Sequence, residues 1–152
     1  MRTLLLATAV MALGSTTAFA AGSVNFNLKS QLGKVCTIES AGTDLTVGPV
    51  ATATADGAFD TTCNFELSDL TLTFTSANGG LHNTAEGVTV PYTVSFDNET
   101  IASADAAAGV SLVRASGAVA NAPIHRNFTV ALGSDLTVAG DYADVLTVDV
   151  AP

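Results

Sequence analysis

The chain has 152 residues, 48% of them hydrophobic and only 12% charged, and its five basic residues face fourteen acids for a net charge of −9. That balance excludes a binder of nucleic acid or of anionic membrane surfaces, since both demand patches of Lys and Arg. Scattered acids instead favour solubility and resistance to nonspecific association.

The first twenty residues read as a signal peptide. Arg2 supplies the positive start, residues 4–13 (LLLATAVMAL) the apolar run, and Ala18-Phe19-Ala20 the small-x-small cleavage site. About ten strongly apolar residues are too few to span a bilayer, and no later segment is long enough, so the chain is not expected to span a membrane. Removing residues 1–20 leaves 132 residues beginning at Ala21, a comfortable single domain with one core. Lys29, Lys34, Arg114 and Arg126 are then the only bases, and the net charge becomes −10.

Residues 23–32, SVNFNLKSQL, alternate strictly. Val24, Phe26, Leu28, Ser30 and Leu32 fall on one face, and Asn25, Asn27, Lys29 and Gln31 on the other. This is the period of a half-buried β-strand, at a place where mature chains usually fray. It serves either its own domain or another. Cys36 and Cys63 are the only cysteines, and in an oxidising compartment they are expected to pair. Closing about 27 residues contributes roughly 3.5 kcal/mol by loop entropy.

Further runs continue the pattern: KVCTIES, TDLTVGPV and AFDTTCNFEL, then LTLTFTS before Asn78-Gly79-Gly80 and VTVPYTVSF before Asp97-Asn98. APIHRNFTVAL precedes Gly133-Ser134-Asp135, and YADVLTVDV closes the chain. Short strands at this spacing predict an antiparallel sandwich or barrel. Residues 101–112, IASADAAAGVSL, are the least strand-like and are expected to form a surface loop. In the last run Leu146, Val148 and Val150 belong inward.

Chemistry is sparse. His82 and His125, the only histidines, lie in no nucleophile context such as G-x-S-x-G. His82 reads as an exposed loop residue and His125 as a strand residue with its ring half in water. The densest acidic groupings, residues 97–99 and the pair Asp141 and Asp144, lack calcium-loop spacing. Asp97-Asn98 reads as a hairpin turn, and Asp141 after Gly140 likewise. Asn98 and Asn127 match N-glycosylation acceptors, as a Thr- and Asn-rich chain will by chance. No cofactor, metal or catalytic group is implied.

In order and spacing, four stretches resemble the spore coat protein U domain family, which includes the pilins of archaic chaperone–usher pili. They are VNFNLKSQLGKVCTI running into the first cysteine, TTCNFELSDLTLTFTS with GGLHNTAEGVTVPYTV, in which the second cysteine opens a strand, NAPIHRNFTVAL, and the terminal GDYADVLTVDV. Together they cover most of residues 22–150. The resemblance implies an immunoglobulin-like antiparallel sandwich lacking its final strand, over residues 34–152, preceded by a donor-strand extension at 21–33. Val24, Phe26, Leu28, Ser30 and Leu32 would be donor positions, and Tyr142, Leu146, Val148 and Val150 the edge of the acceptor groove or of the chaperone's grip. The implied partners are neighbouring subunits, in a homo- or hetero-polymer, a periplasmic chaperone and an outer-membrane usher. The implied place is the bacterial surface, reached by secretion through the periplasm, and the implied roles are adhesion and biofilm formation. The chain departs from the family in ending on VDVAP rather than a large apolar residue, and its lack of Trp speaks for a shaft rather than a sugar-binding tip. Two other readings stay open: a self-complemented spore-coat or envelope protein of the same fold that never polymerises, and a small periplasmic enzyme or binding protein.

Overall fold

A computed structural model of the chain describes residues 27–40 and 42–152. The signal peptide expected at 1–20 and the donor positions Val24 and Phe26 lie outside the described residues. The chain divides into two units, residues 1–31 and 32–152. In the first, residues 27–31 carry no strand and are exposed.

The second unit is all-β and antiparallel. One sheet has the order β1-β2-β9-β6-β7, formed by β1 (Cys36–Glu39), β2 (Thr54–Cys63), β9 (Pro123–Leu132), β6 (Tyr92–Phe96) and β7 (Glu99–Ala102). A second has the order β10-β3-β8, formed by β10 (Leu146–Ala151), β3 (Asp69–Ser76) and β8 (Val110–Ala115). A small hairpin of β4 (Leu81–Asn83) and β5 (Val88–Val90) stands apart from both sheets in pairing. Strand parity decides what is buried. In β3, Leu70, Leu72, Phe74 and Ser76 are buried, while Thr71, Thr73 and Thr75 between them stay half-buried. Phe74 of one sheet packs on Phe96 of the other with ring centroids 5.2 Å apart, and Phe59 stacks on Phe96 at 6.0 Å. These rings join the two sheets into a sandwich, each buried large side chain contributing about 1.5–3 kcal/mol.

An immunoglobulin sandwich sets strands A-B-E-D against C-F-G. Here β1-β2-β9-β6 stand in the A-B-E-D order, and β3 and β10 pair in the C and F places. Among the described residues no strand occupies the G place beside β10. The site lies on that side of the sandwich, beside β1 and β10.

Several expected boundaries move. TDLTVGPV forms no strand. Gly48-Pro49 interrupts it, and the hydrogen bonds it makes go to loops, with Leu136 N–H donating to the Pro49 carbonyl at 2.7 Å and Ala53 N–H to the Val50 carbonyl at 2.8 Å. Cys63 closes β2 rather than opening a strand. Pro91, with no N–H to give a ladder, divides VTVPYTVSF into β5 and β6. The surface loop expected at 101–112 is instead the end of β7, one helical turn α1 (Ser103–Ala106) and the start of β8. Ser103 and Ala106 are fully buried there, small enough to let the chain cross the end of the sandwich. The Asp97-Asn98 hairpin is observed, with both residues at positive φ (47° and 65°) between paired Phe96 and Glu99.

Candidate functional site: an open groove between two sheet edges

β1 and β10 are end strands of their sheets; they approach each other along part of their length and, with the segment that follows β1, line a groove of about 540 Å³. Phe59 of β2 and Phe128 and Val130 of β9 form its floor, with Ile38 of β1 and Leu146 and Val148 of β10 as walls. Phe59 and Val130 are buried, whereas Ile38, Phe128, Leu146 and Val148 are only half-buried. Among the described residues β1 pairs with β2 alone and β10 with β3 alone, so the second edge of each has no ladder partner there. An apolar trough between two free edges is a template for another strand and a hazard if left uncovered.

Gly57 keeps the floor flat. It pairs with Phe128 across β2 and β9, and a Cβ on Gly57 would run into the Phe128 ring, which lies over the bare backbone.

Each wall is held in place. Cys36 and Cys63, expected to pair, are bonded and lie directly opposite each other in the β1–β2 register. Asn64 extends that clamp, accepting from Val35 N–H at 2.8 Å and donating to the Gly33 carbonyl at 2.8 Å. On the other wall Asp144, two residues before β10, accepts from Ser76 Oγ at 2.5 Å, Tyr92 OH at 2.7 Å and Asn78 N–H at 2.9 Å. Burial by itself would raise the Asp144 carboxyl. Hydrogen bonds from Ser76, from Tyr92 and from the backbone N–H groups of Asn78 and Val145 together outweigh it, so the group sits below the usual carboxylate range. Burial, with the Asp144 charge adding to it, pushes the Tyr92 phenol well above its ordinary value.

The structure brings some of the expected site residues together and not others. Leu146 and Val148 line the groove, whereas Val150 packs against the core without lining it. Tyr142, expected on the same edge, lies ahead of β10 and outside the lining, its hydroxyl donating to the Val138 carbonyl at 3.0 Å. The segment YADVLTVDV becomes a strand only from Leu146, because Asp144 turns inward to its three donors first. Of the donor positions within the described residues, Leu28, Ser30 and Leu32 are exposed, Leu28 at 94% and Leu32 at 84%.

Among the described residues no three His, Cys, Asp or Glu side chains gather where a metal ion could sit. His82 is half-buried in β4, its Nδ1 2.9 Å from Thr89 Oγ1, so it is a strand residue rather than the expected loop residue. His125 stands on the outer face of β9 with its ring 64% exposed and Nδ1 2.8 Å from Asp60. Arg126, beside it, points inward and is buried, donating to Thr61 Oγ1 and the Ala115 carbonyl, both at 2.9 Å. Desolvation lowers its pKa. Asp144, Gly57 and Arg126 carry no local signal in the sequence, since their partners are roughly 10 to 70 residues away along the chain.

Among the described residues no helix is long and apolar enough to cross a membrane. Compared with the models of known protein families and with the curated proteins, the chain matches none.

Proposed function

We propose that the protein is a secreted structural subunit that polymerises into a surface fibre by donor-strand exchange, serving adhesion and biofilm formation. The observation that carries this reading is the vacant G place, an apolar groove between the free edges of β1 and β10. The alternating run at 23–32 is the matching part, and strand addition joins them through main-chain hydrogen bonds and alternate side chains seated in pockets. Val24, Phe26, Leu28, Ser30 and Leu32 of one subunit would then face the floor of the next, each well-buried Val, Phe or Leu contributing about 1.5–3 kcal/mol. A subunit with such a groove needs cover until it is assembled, which is the part a periplasmic chaperone and an outer-membrane usher would play on the way to the cell surface. No catalytic step belongs to this function.

The test is denaturing electrophoresis of material sheared from the surface of the native source, with and without boiling. Strand-exchanged polymers dissociate very slowly, so unboiled samples are expected to give a ladder in steps of about 13 kDa that collapses on boiling. Phe26→Asp abolishes the ladder while leaving secretion intact, because a carboxylate cannot enter an apolar pocket unpaired. A single monomer band in both lanes overturns the reading in favour of a domain that keeps its first strand for itself.

A further inference from the structure

Both strands that flank the groove carry an acid on the side turned away from the core. On β10, Thr147, Asp149 and Ala151 are exposed between the half-buried Leu146, Val148 and Val150. On β1, Thr37 and Glu39 are exposed beside Cys36 and Ile38. Neither outer face carries a base. Three of the four cations after residue 20 are already engaged. Lys34 donates to Ser68 Oγ at 2.8 Å and lies over the Phe65 ring, Arg114 bridges Asp97 and Glu99, and Arg126 is buried on Thr61 and the Ala115 carbonyl. Among the described residues Lys29 makes no hydrogen bond or ion pair. It stands on the polar face of the 23–32 run, between Leu28 and Ser30.

We propose that the strand received in the groove is residues 23–32 of a second copy of this chain, selected by an ion pair between its Lys29 and the acidic rim, Asp149 on β10 foremost and Glu39 across the groove. This rests on the strand-exchange reading above and specifies its partner. Parity forces the placement. Any register that sets Leu28 and Ser30 against Leu146, Val148 and Val150 puts Lys29 outward and opposite Thr147 or Asp149. Directly opposite residues in a sheet lie about 4.5–5.5 Å apart and diagonal ones about 7–8 Å, so the lysine stem reaches Asp149 from either position. A strand with an acid in place of Lys29 would meet like charge on both flanks, which is discrimination as well as attraction. Two copies that repel through a net charge of −10 each thus meet through the one outward cation that the run supplies.

The experiment uses the full mature chain, assembled into polymer, with subunit release followed by the decay of the unboiled ladder in low salt. Lys29→Glu is expected to release subunits about tenfold faster than the wild type, an effect that shrinks as salt is raised. Adding Asp149→Lys to it restores release to within about twofold of the wild type. Adding Glu86→Lys, which gives back the same charge in the exposed β4–β5 turn, does not. The inference is overturned if Lys29→Glu polymers release at the wild-type rate, or if Glu86→Lys rescues as well as Asp149→Lys, since overall charge would then account for the effect. A wild-type chain that forms no ladder sinks the strand-exchange reading itself, and that result is distinguishable from the others.

Discussion

The two sides of this sandwich are built in opposite ways. On the side of β7 and β8 the chain itself crosses between the sheets, and the crossing is tied down. Ser103 Oγ accepts from Tyr92 N–H at 3.0 Å and donates to the Gly79 carbonyl at 2.8 Å, both within buried or half-buried surroundings. Arg114 of β8 reaches Asp97 and Glu99 at 2.9 and 3.1 Å and lies 5.3 Å from the centre of the Phe96 ring. Charge and a covering turn are the usual devices by which an edge strand avoids pairing with a stranger. On the side of β1 and β10, among the described residues, the edge strands carry the exposed acids Glu39 and Asp149 but no ion pair, and no turn ties one sheet to the other. There the strand ends are pinned, by the disulfide and by Asp144, while among the described residues the edges between the pins have no ladder partner. One side is crossed by the chain itself and the other, among the described residues, is not; the strand-exchange proposal gives a reason for that difference.

The largest way to break this comparison is to charge the open side. Val148→Asp places a carboxylate on a half-buried wall of the groove, where the monomer can leave it in water but an inserted strand cannot. Assembly is expected to fail outright, a penalty of about 3 kcal/mol or more on strand insertion. The urea midpoint of the monomer moves far less. Equal losses in both measurements would mean that the wall belongs to the monomer's own core. Removing the pin on β1 comes next. Cys36→Ser with Cys63→Ser costs roughly 3.5 kcal/mol of monomer stability by loop entropy, read from denaturant unfolding. On the crossed side, Ser103→Ala leaves the Tyr92 N–H without its acceptor and costs roughly 2 kcal/mol. Its polymers, once formed, should release subunits at the wild-type rate, because nothing in the groove has changed. A faster release would show that the two sides are coupled.

How much of this was legible in the sequence follows the same division. Strands that alternate within one segment announce themselves, as in LTLTFTS and NFTVAL, because period two is a local property. Asp97-Asn98 is legible for the same reason, a two-residue turn with its own chemistry. The disulfide followed from compartment and count. What escaped is what depends on distant partners. Asp144 read only as one of a pair of acids without calcium-loop spacing, yet its partners are Ser76, Asn78 and Tyr92. Alternation in TDLTVGPV was real, but a strand also needs an edge to pair with, and Gly48-Pro49 breaks the run. Residues 101–112 misled in the other direction. Ala and Ser read as loop filler, and here they are small because Ser103 and Ala106 have no room for anything larger. The groove depends on where β1, β9 and β10 come together in space, which no single segment of sequence displays.

The smallest expected effect concerns the tie between the open side and the interior. Asp144 accepts its three hydrogen bonds as a carboxylate, and its pKa in the folded protein lies below the ordinary value. A group depressed in this way stabilises the fold fully above its unfolded pKa, about 3.9, and that contribution is lost as pH falls through the lowered folded value. Acid strong enough to protonate Asp144 therefore loosens the start of β10 at Ser76, Asn78 and Tyr92, and with it one wall of the groove. Asp144→Asn keeps the side chain's shape but removes the proton-linked part. Its urea midpoint at pH 7 should be lower than that of the wild type, and its further fall below about pH 4 should be shallower. The other acids titrate in the same range in both proteins, so the difference between the two curves, rather than either curve, isolates Asp144. Parallel curves would assign the acid response to carboxylates elsewhere and leave the β10 wall indifferent to pH.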